Sequence, residues 1–585
     1  MPKRTGSGAR VWAATAILLF MSLLIGCAGQ QGLSSTAAQD AAIEASLLAR
    51  DTAEGVVLGQ VDEAGDTLVW KGIPYARPPV EALRWRAPQS PERRAEPLVA
   101  DEFCQLCPQY IDHDRNPATP QVIVGGEDCL YLNIWSPAQS DGPLPVFFWI
   151  HGGGNSIQWP LLSRQTGGFL ADRGNMVVVT ASYRLGPMGF WHHPALKTGD
   201  PAEDSGNFAT LDLIQALKWV RTNIAHFGGD PDNVTIAGES AGGQNVFSLL
   251  VSPLAQGLFH RAISQSGVVR HFSPTQGTAH VDTVLAKRLV HEGKAADAAA
   301  AKEMLAGMSL SAVADWMRAM APQAFLEMYP EGKAAGMLRL PTCFIDGHVL
   351  PTGFYDAWAA GAYNKVPLIV GTNKEETKLF LRLVPPFGQW RQDYSLFTDP
   401  VKEALYQSVA EYQSDGWRVM AVDEVARLLS DPSGQPDLFA YHFLWGAGAG
   451  NTVIASPLNL LLGACHAMEI DFVFGTENAS LGALVFTARN RAGRIALSNA
   501  MMDYWSAFAH AGNPNPEETR LPAWLPWSNA QDGPKVMLLD ADLETAHIRM
   551  SSEEMSNATI EAALQAEPRR DDIQPFWDAS PFRMR

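Results

Sequence analysis

The stretch Val234-Thr235-Ile236-Ala237-Gly238-Glu239-Ser240-Ala241-Gly242-Gly243 runs from a β-branched, apolar segment into G-x-S-x-G and then into small residues that can open a helix. A serine at such a junction sits in a sharp strand-to-helix turn, with the residues two before and two after it packed too closely to carry side chains. Gly238 and Gly242 meet that requirement, so Ser240 is the candidate nucleophile. The helix that follows offers its N-terminal amides and positive dipole end to a developing anion. In a chain with 50 glycines the five-residue pattern alone is weak, so the surrounding sequence must carry the assignment.

Upstream, Leu144-Pro145-Val146-Phe147-Phe148-Trp149-Ile150 reads as a buried strand that empties into His151-Gly152-Gly153-Gly154. Glycines there leave backbone N–H groups unshielded, as a site that stabilises a tetrahedral oxyanion requires. Gly153, Gly154 and Ala241 are the candidate amide donors. A serine hydroxyl also needs a histidine base and an acid to fix the imidazole tautomer, in the chain order serine, acid, histidine. Val366-Pro367-Leu368-Ile369-Val370-Gly371-Thr372 reads as a further buried parallel strand, followed by Asn373-Lys374-Glu375-Glu376. Of the 14 histidines, His466, in Gly463-Ala464-Cys465-His466-Ala467-Met468-Glu469, has the best setting; His192, His193, His226 and His260 read as packing or surface residues.

From about residue 54 onward the chain resembles the type-B carboxylesterases, the α/β-hydrolase group that also contains cholinesterases and bile-salt-activated lipases. The resemblance rests on Lys71-Gly72-Ile73-Pro74-Tyr75-Ala76-Arg77-Pro78-Pro79, Glu127-Asp128-Cys129-Leu130-Tyr131-Leu132-Asn133-Ile134-Trp135, the triple glycine, Phe227-Gly228-Gly229-Asp230-Pro231 and the GESAG elbow. It implies an α/β-hydrolase fold: a large, mostly parallel central sheet flanked by helices, with inserted helical cap segments. It makes Ser240 the nucleophile, Glu376 the acid and His466 the base, with Gly153, Gly154 and Ala241 as the oxyanion hole and no cofactor or metal. It further implies a buried Arg84–Glu127 ion pair, a Ser266 hydrogen bond to the acid, and a disulfide between Cys107 and Cys129. Such a disulfide would close a loop of roughly twenty residues and stabilise the fold by about 3 kcal/mol in the chain-entropy model. The acid loop departs from the family pattern, since Glu375-Glu376-Thr377 stands where aspartate, glutamate and glycine are usual, so Glu375 is a rival to Glu376.

The first 26 residues read as an address. Lys3, Arg4 and Arg10 precede an apolar run from Val11 to Gly26, and Leu24-Ile25-Gly26-Cys27 resembles a bacterial lipobox. A run of 16 residues falls short of the roughly 20 needed to span a bilayer. The resemblance implies a lipoprotein signal over residues 1–26, lipid on Cys27, and membrane attachment, with Ala28 pointing to the outer membrane. Residues 27–53 then form a tether, and 54–585 one catalytic domain. Export also places the remaining cysteines where a disulfide persists; Cys104 is expected to be a spare thiol, and Cys343 and Cys465 to be packing residues.

Loss of residues 1–26 removes three basic residues and no acidic one, moving the formal charge from −18 to −21, which disfavours nucleic acid and anionic lipid as partners. The triad spans Ser240 to His466, so the chain cannot be divided between them; Val281 to Ala321, with helical apolar spacing, is expected to be an insertion over the cleft. The expected substrate is a small-molecule ester, with bulky alcohol esters suggested by the triple glycine followed by Asn155. The other readings are a lipase for long-chain esters, with Trp159 as one pocket residue, and a non-catalytic cholinesterase-like binding protein. A choline ester is disfavoured: between Cys107 and Cys129 the only aromatic is Tyr110. Oligomeric state is left open.

Overall fold

A computed structural model of the chain describes residues 48–62, 67–111, 122–158, 167–329, 337–430, 434–477, 481–517 and 520–584. The expected leader, Cys27, most of the expected tether and Trp159 lie outside the described residues. The chain divides into Met1–Ala49 and a large compact unit, Arg50–Arg585. That unit is secured from its first residues: the Glu54 carboxylate accepts from Trp219 Nε1 at 3.0 Å and from Asn223 Nδ2 at 3.2 Å.

Eleven strands form the main sheet. In chain order they are β1 (Gln60–Val61), β2 (Thr67–Pro74), β3 (Tyr131–Pro137), β4 (Leu144–Ile150), β5 (Val177–Ala181), β6 (Gly229–Glu239), β7 (Arg261–Gln265), β8 (Leu368–Asn373), β9 (Leu438–Phe443), β10 (Val536–Ala541) and β11 (Ala546–Ser551). Their spatial order is β11-β10-β9-β8-β7-β6-β4-β5-β3-β2-β1. Pairings from β5 across to β10 are parallel, and those outside them antiparallel. Every residue of β4, β5, β8 and β9 is buried, as expected of central strands covered on both faces. The edge strand β11 instead alternates between half-buried and exposed over most of its length.

The chain passes from β4 to β5 on one side and returns through β6 on the other, so strand order reverses at β4. In open α/β sheets this is where a crevice opens beyond the carboxyl ends of the strands. The register makes those ends level: Gly238 lies opposite both Ile150 and Ser264, and Gln265 lies opposite Gly371. Loops leaving β4, β6, β7 and β8 therefore start side by side.

Helix α1 (Phe208–Asn223) and the fully buried α2 (Ala241–Val251) flank the sheet. The inserted segment forms α3 (Pro274–His291), α4 (Ala298–Gly307) and α5 (Leu310–Ala319), beginning earlier than the Val281 expected from apolar spacing. Pro274 at the first helical position and a Ser273–Gln276 capping box add a polar turn before the apolar face begins. These helices enclose a second apolar cluster in which Trp85 and Trp191 stack at 5.9 Å, with Phe325 edge-on to both. Helix α6 (Pro400–Arg418) runs into one π-turn, Val419–Asp423. The Cys107–Cys129 disulfide is present.

Candidate active site

Ser240 stands between the last residue of β6 and the first of α2, with φ 60° and ψ −120°. For a residue bearing a Cβ this left-handed backbone costs on the order of 1–3 kcal/mol, and such strain is held only where the surroundings over-determine it. Here they do. A Cβ on Gly238 would lie 2.6 Å from the Gly242 carbonyl, and one on Gly242 would strike the Ile150 carbonyl oxygen at the end of β4. The Ser240 amide donates to Gln265 O at 2.8 Å on β7, while its carbonyl accepts from Gln244 N at 3.0 Å inside α2. Ser240 itself is half-buried and so within reach of a ligand.

The glycine loop leaves β4 beside it. A Cβ on Gly152 would come within 3.0 Å of Ser240 Cβ, so the loop lies directly against the serine. Gly153 and Gly154 have φ of +102° and +63°, and a Cβ on Gly153 would collide with the Ile157 carbonyl. Among the described residues no acceptor pairs with the amides of Gly153, Gly154 or Ala241. A buried scaffold fixes the loop: Asn155 Oδ1 accepts from Asn245 Nδ2 on α2 at 2.9 Å, and the Tyr183 hydroxyl donates to His151 O at 2.8 Å. The His151 ring stacks on Tyr183 at 4.4 Å. Met337 closes the other flank, its Sδ 3.0 Å from where a Gly154 Cβ would be.

The loop after β8 carries both glutamates, and the structure separates them. Glu376, fully buried, places Oε2 2.5 Å from His466 Nδ1. Its Oε1 accepts from Ser266 Oγ at 2.5 Å and from Asn373 N at 2.8 Å. Glu375 points elsewhere: it pairs with Lys378 at 2.8 Å and accepts from the amides of Gly448 and Ala464 at 3.2 and 3.1 Å. The residue beside His466 is therefore Glu376, and Glu375 pins the loop that carries the histidine.

On its other side His466 Nε2 faces Glu239 Oε1 at 3.1 Å. No direct hydrogen bond joins Ser240 to His466 in this geometry, although Glu239 lies against both the Gly152–Ser240 contact and Nε2. Catalytic hydrogen bonds in free enzymes are commonly long or misaligned and tighten when substrate binds. Burial lifts Glu239 well above the ordinary carboxylate range, an effect the His466 charge only partly offsets. Burial disfavours a charged imidazole at His466, but the Glu239 and Glu376 carboxylates outweigh it and raise its pKa. A third buried carboxylate, Glu469, accepts from Asn373 Nδ2 at 2.5 Å and from Gln265 Nε2 at 3.1 Å; burial and the nearby Glu376 raise it too. Sequence reasoning singled out neither Glu239 nor Glu469, although each lies inside a motif it quoted.

The supporting expectations hold. Arg84 binds Glu127 through two contacts of 2.6 and 2.5 Å, and its remaining nitrogen donates to Met320 O at 2.6 Å. Cys104 carries a free thiol that burial pushes up to about 11. Cys343 and Cys465 are buried and unpaired. His192 and His193 contact Thr278 and Asp282 of α3, and His260 accepts from Val234 N, all packing roles.

Comparisons with known proteins bear on the family and the fold. The model of the carboxylesterase family matches residues 47–418 and 390–558. The para-nitrobenzyl esterase of Bacillus subtilis (strain 168) is 31% identical over 491 residues, covering 81% of this chain and 91% of that protein. The fumonisin B1 esterase of Sphingopyxis macrogoltabida is 33% identical over 489 residues, covering 80% and 83%. Among solved structures, a PNB esterase superposes with a TM-score of 0.67 at 29% identity, covering 88% of this chain and 98% of that one. A Geobacillus stearothermophilus carboxylesterase gives 0.65 at 28% identity, covering 88% and 99%. The match spans sequence, fold and nearly the full length of these relatives: the chain belongs to the carboxylesterase family, and it is a carboxylic ester hydrolase of the α/β-hydrolase fold.

Proposed function

We propose that Ser240, His466 and Glu376 form the catalytic triad, with the amides of Gly153, Gly154 and Ala241 as the oxyanion hole. Ser240 Oγ attacks the ester carbonyl while His466 Nε2 takes its proton; His466 then protonates the departing alcohol, and water releases the acid from the acyl-enzyme by the same route. Glu376 holds Nδ1–H, fixing the tautomer that leaves Nε2 basic and stabilising the imidazolium. The observation that carries this reading is the level register of β4, β6, β7 and β8, whose carboxyl-end loops hold the glycine loop, Ser240, Ser266 and Glu376. The test is Ser240→Ala, expected to fold normally and to lose on the order of a millionfold in kcat, together with stoichiometric organophosphonate labelling. Retention of a tenth of wild-type turnover would overturn it.

The substrate range belongs to this proposal too. Glycines at 153 and 154 leave room beside the carbonyl for a bulky alcohol, which favours tert-butyl or linalyl acetate as substrates, while Met337 beside Gly154 sets a limit to that room. Relatives named for a p-nitrobenzyl ester and for fumonisin B1 show how far the accepted ester varies within the family. A p-nitrophenyl ester series of rising acyl length separates a carboxylesterase, fastest on short chains, from a lipase, fastest on long ones. Tertiary-ester turnover no higher than the Ser240→Ala background would remove the bulky-alcohol part. The chain's place in the cell is inferred from sequence alone: export, lipid on Cys27, and attachment to the bacterial envelope.

A further inference from the structure

Beside His466 lies an aromatic group that the triad chemistry leaves unexplained. Trp417, buried near the end of α6, has its ring 4.7 Å from the imidazole, at an interplanar angle of 37°. Its Nε1–H donates to the Ser266 carbonyl at 3.2 Å, and Ser266 Oγ in turn donates to Glu376. One side chain therefore touches the base and the residue that supports the acid. Phe380 lies 5.3 Å from the same imidazole and stacks loosely on Trp417 at 6.0 Å.

The brace behind Trp417 comes from far along the chain. Phe582 stacks on Trp417 at 4.2 Å, with the planes only 17° apart. The segment that carries it is tied down on several sides. Pro581 O accepts from Arg270 at 3.2 Å, Arg583 pairs with Glu561 at 2.9 Å, and Met584 O accepts from Asn557 Nδ2 at 3.0 Å. Gly416, next to Trp417, makes room for it: a Cβ there would lie 3.1 Å from Phe582 O. Two residues after Trp417 the helix widens into the π-turn Val419–Asp423, with Arg418 bound to Asp423 at 3.0 Å. Such π-turns recur at functional sites.

We propose that Trp417 and Phe582 are positioning residues for the base: Phe582 presses Trp417 against His466, and Trp417 keeps the imidazole and Ser266 in a single arrangement through each proton transfer. The aromatic face also stabilises the imidazolium that forms in each tetrahedral intermediate, through the attraction between a cation and a ring quadrupole. This rests on His466 being the base. The charged or titratable groups facing His466 are Glu376 from the acid loop, Glu239 from the elbow and Glu469 from its own segment. None of them changes in the variants below.

The experiment uses Phe582→Ala, Trp417→Leu and Trp417→Phe in the full chain. It follows p-nitrophenyl acetate hydrolysis across pH, with thermal unfolding midpoints alongside. Phe582→Ala should lower kcat on the order of tenfold with KM within twofold, because small misplacements of a base are costly. Trp417→Leu, which keeps an apolar neighbour but removes the ring, should lower kcat further and move the acid limb of kcat/KM to lower pH by about half a unit. Trp417→Phe, which keeps a ring over the imidazole, should return the limb to its wild-type position. An unchanged kcat in Phe582→Ala, losses confined to KM, or a limb equally displaced in both Trp417 variants would overturn the proposal. Should Trp417→Leu fail to fold, Phe582→Ala and Trp417→Phe still decide it. Failure of the triad reading is visible separately, as activity surviving Ser240→Ala.

Discussion

Glu375 and Glu376 are neighbours in sequence, yet they serve different parts of the molecule, and the fold separates them where the family resemblance favours one and leaves the other as a rival. Both are carboxylates at the end of an apolar strand, so no property of the residues themselves separates them. The distinction arises from which side of the turn faces His466. Because only the Glu376 carboxylate reaches His466 Nδ1, at 2.5 Å, Glu376→Gln should lower kcat by several orders of magnitude, as expected when the tautomer is no longer fixed. Glu375→Gln should act chiefly through stability, by stranding the buried Lys378 ammonium. Paired kinetics and unfolding midpoints distinguish the two, and equal kinetic losses would reverse the assignment. Glu239 gives a second test. Its carboxylate, 3.1 Å from Nε2, favours the protonated imidazole, so Glu239→Gln should lower the His466 pKa. Since the base acts only when neutral, the acid limb of kcat/KM should then move to lower pH, by about one unit. A limb that stays put or rises would show that Glu239 does not sense the base.

At the scale of elements, the strands and the elbow were legible in sequence because burial on both faces writes an uninterrupted apolar run, and because two glycines two residues either side of a serine answer a steric demand. The ends of elements were less so. Strand β6 starts at Gly229, five residues before the β-branched run; the residues between, Asp230 to Asn233, are three polar residues and a proline, half-buried or exposed, and so lack an apolar signal. The packing of α3 to α5 was invisible, because their apolar stripes find Trp85 and Trp191 from an earlier part of the chain. Arg84 joins these regions: it binds Glu127 beside the disulfide, and its other nitrogen reaches the carbonyls that end α5. Replacing it by Met leaves the Glu127 carboxylate and those carbonyls unpaired in a largely buried place, at a cost of about 3–5 kcal/mol. Denaturant unfolding should register that loss, and the Arg84→Met, Glu127→Leu double variant should recover part of it. A single variant as stable as wild type would mean that the pair is solvated and adds nothing.

For the whole molecule, Arg50–Arg585 is one compact unit with the proposed triad inside it, and among the described residues no helix is long and apolar enough to cross a membrane. The proposed attachment to a bilayer lies in the residues ahead of it, where sequence offers a short apolar run ending in Leu24-Ile25-Gly26-Cys27. Two consequences can be measured. The catalytic unit produced alone from Arg50 should remain in the aqueous phase of a detergent partition and keep full p-nitrophenyl acetate turnover, because the elements that carry Ser240, Glu376 and His466 all lie within it. The full chain should enter the detergent phase when made in a bacterial host, and Cys27→Ser should accumulate as unprocessed precursor, since lipid transfer requires the thiol as its acceptor. A single acyl chain binds membranes only weakly, whereas several together anchor firmly, so stable detergent partitioning is expected of the mature protein. Mass spectrometry of the mature N-terminus provides the decisive reading. A lipid-modified Cys27 establishes the anchor, and an unmodified first residue at any other position removes it while leaving the esterase chemistry untouched.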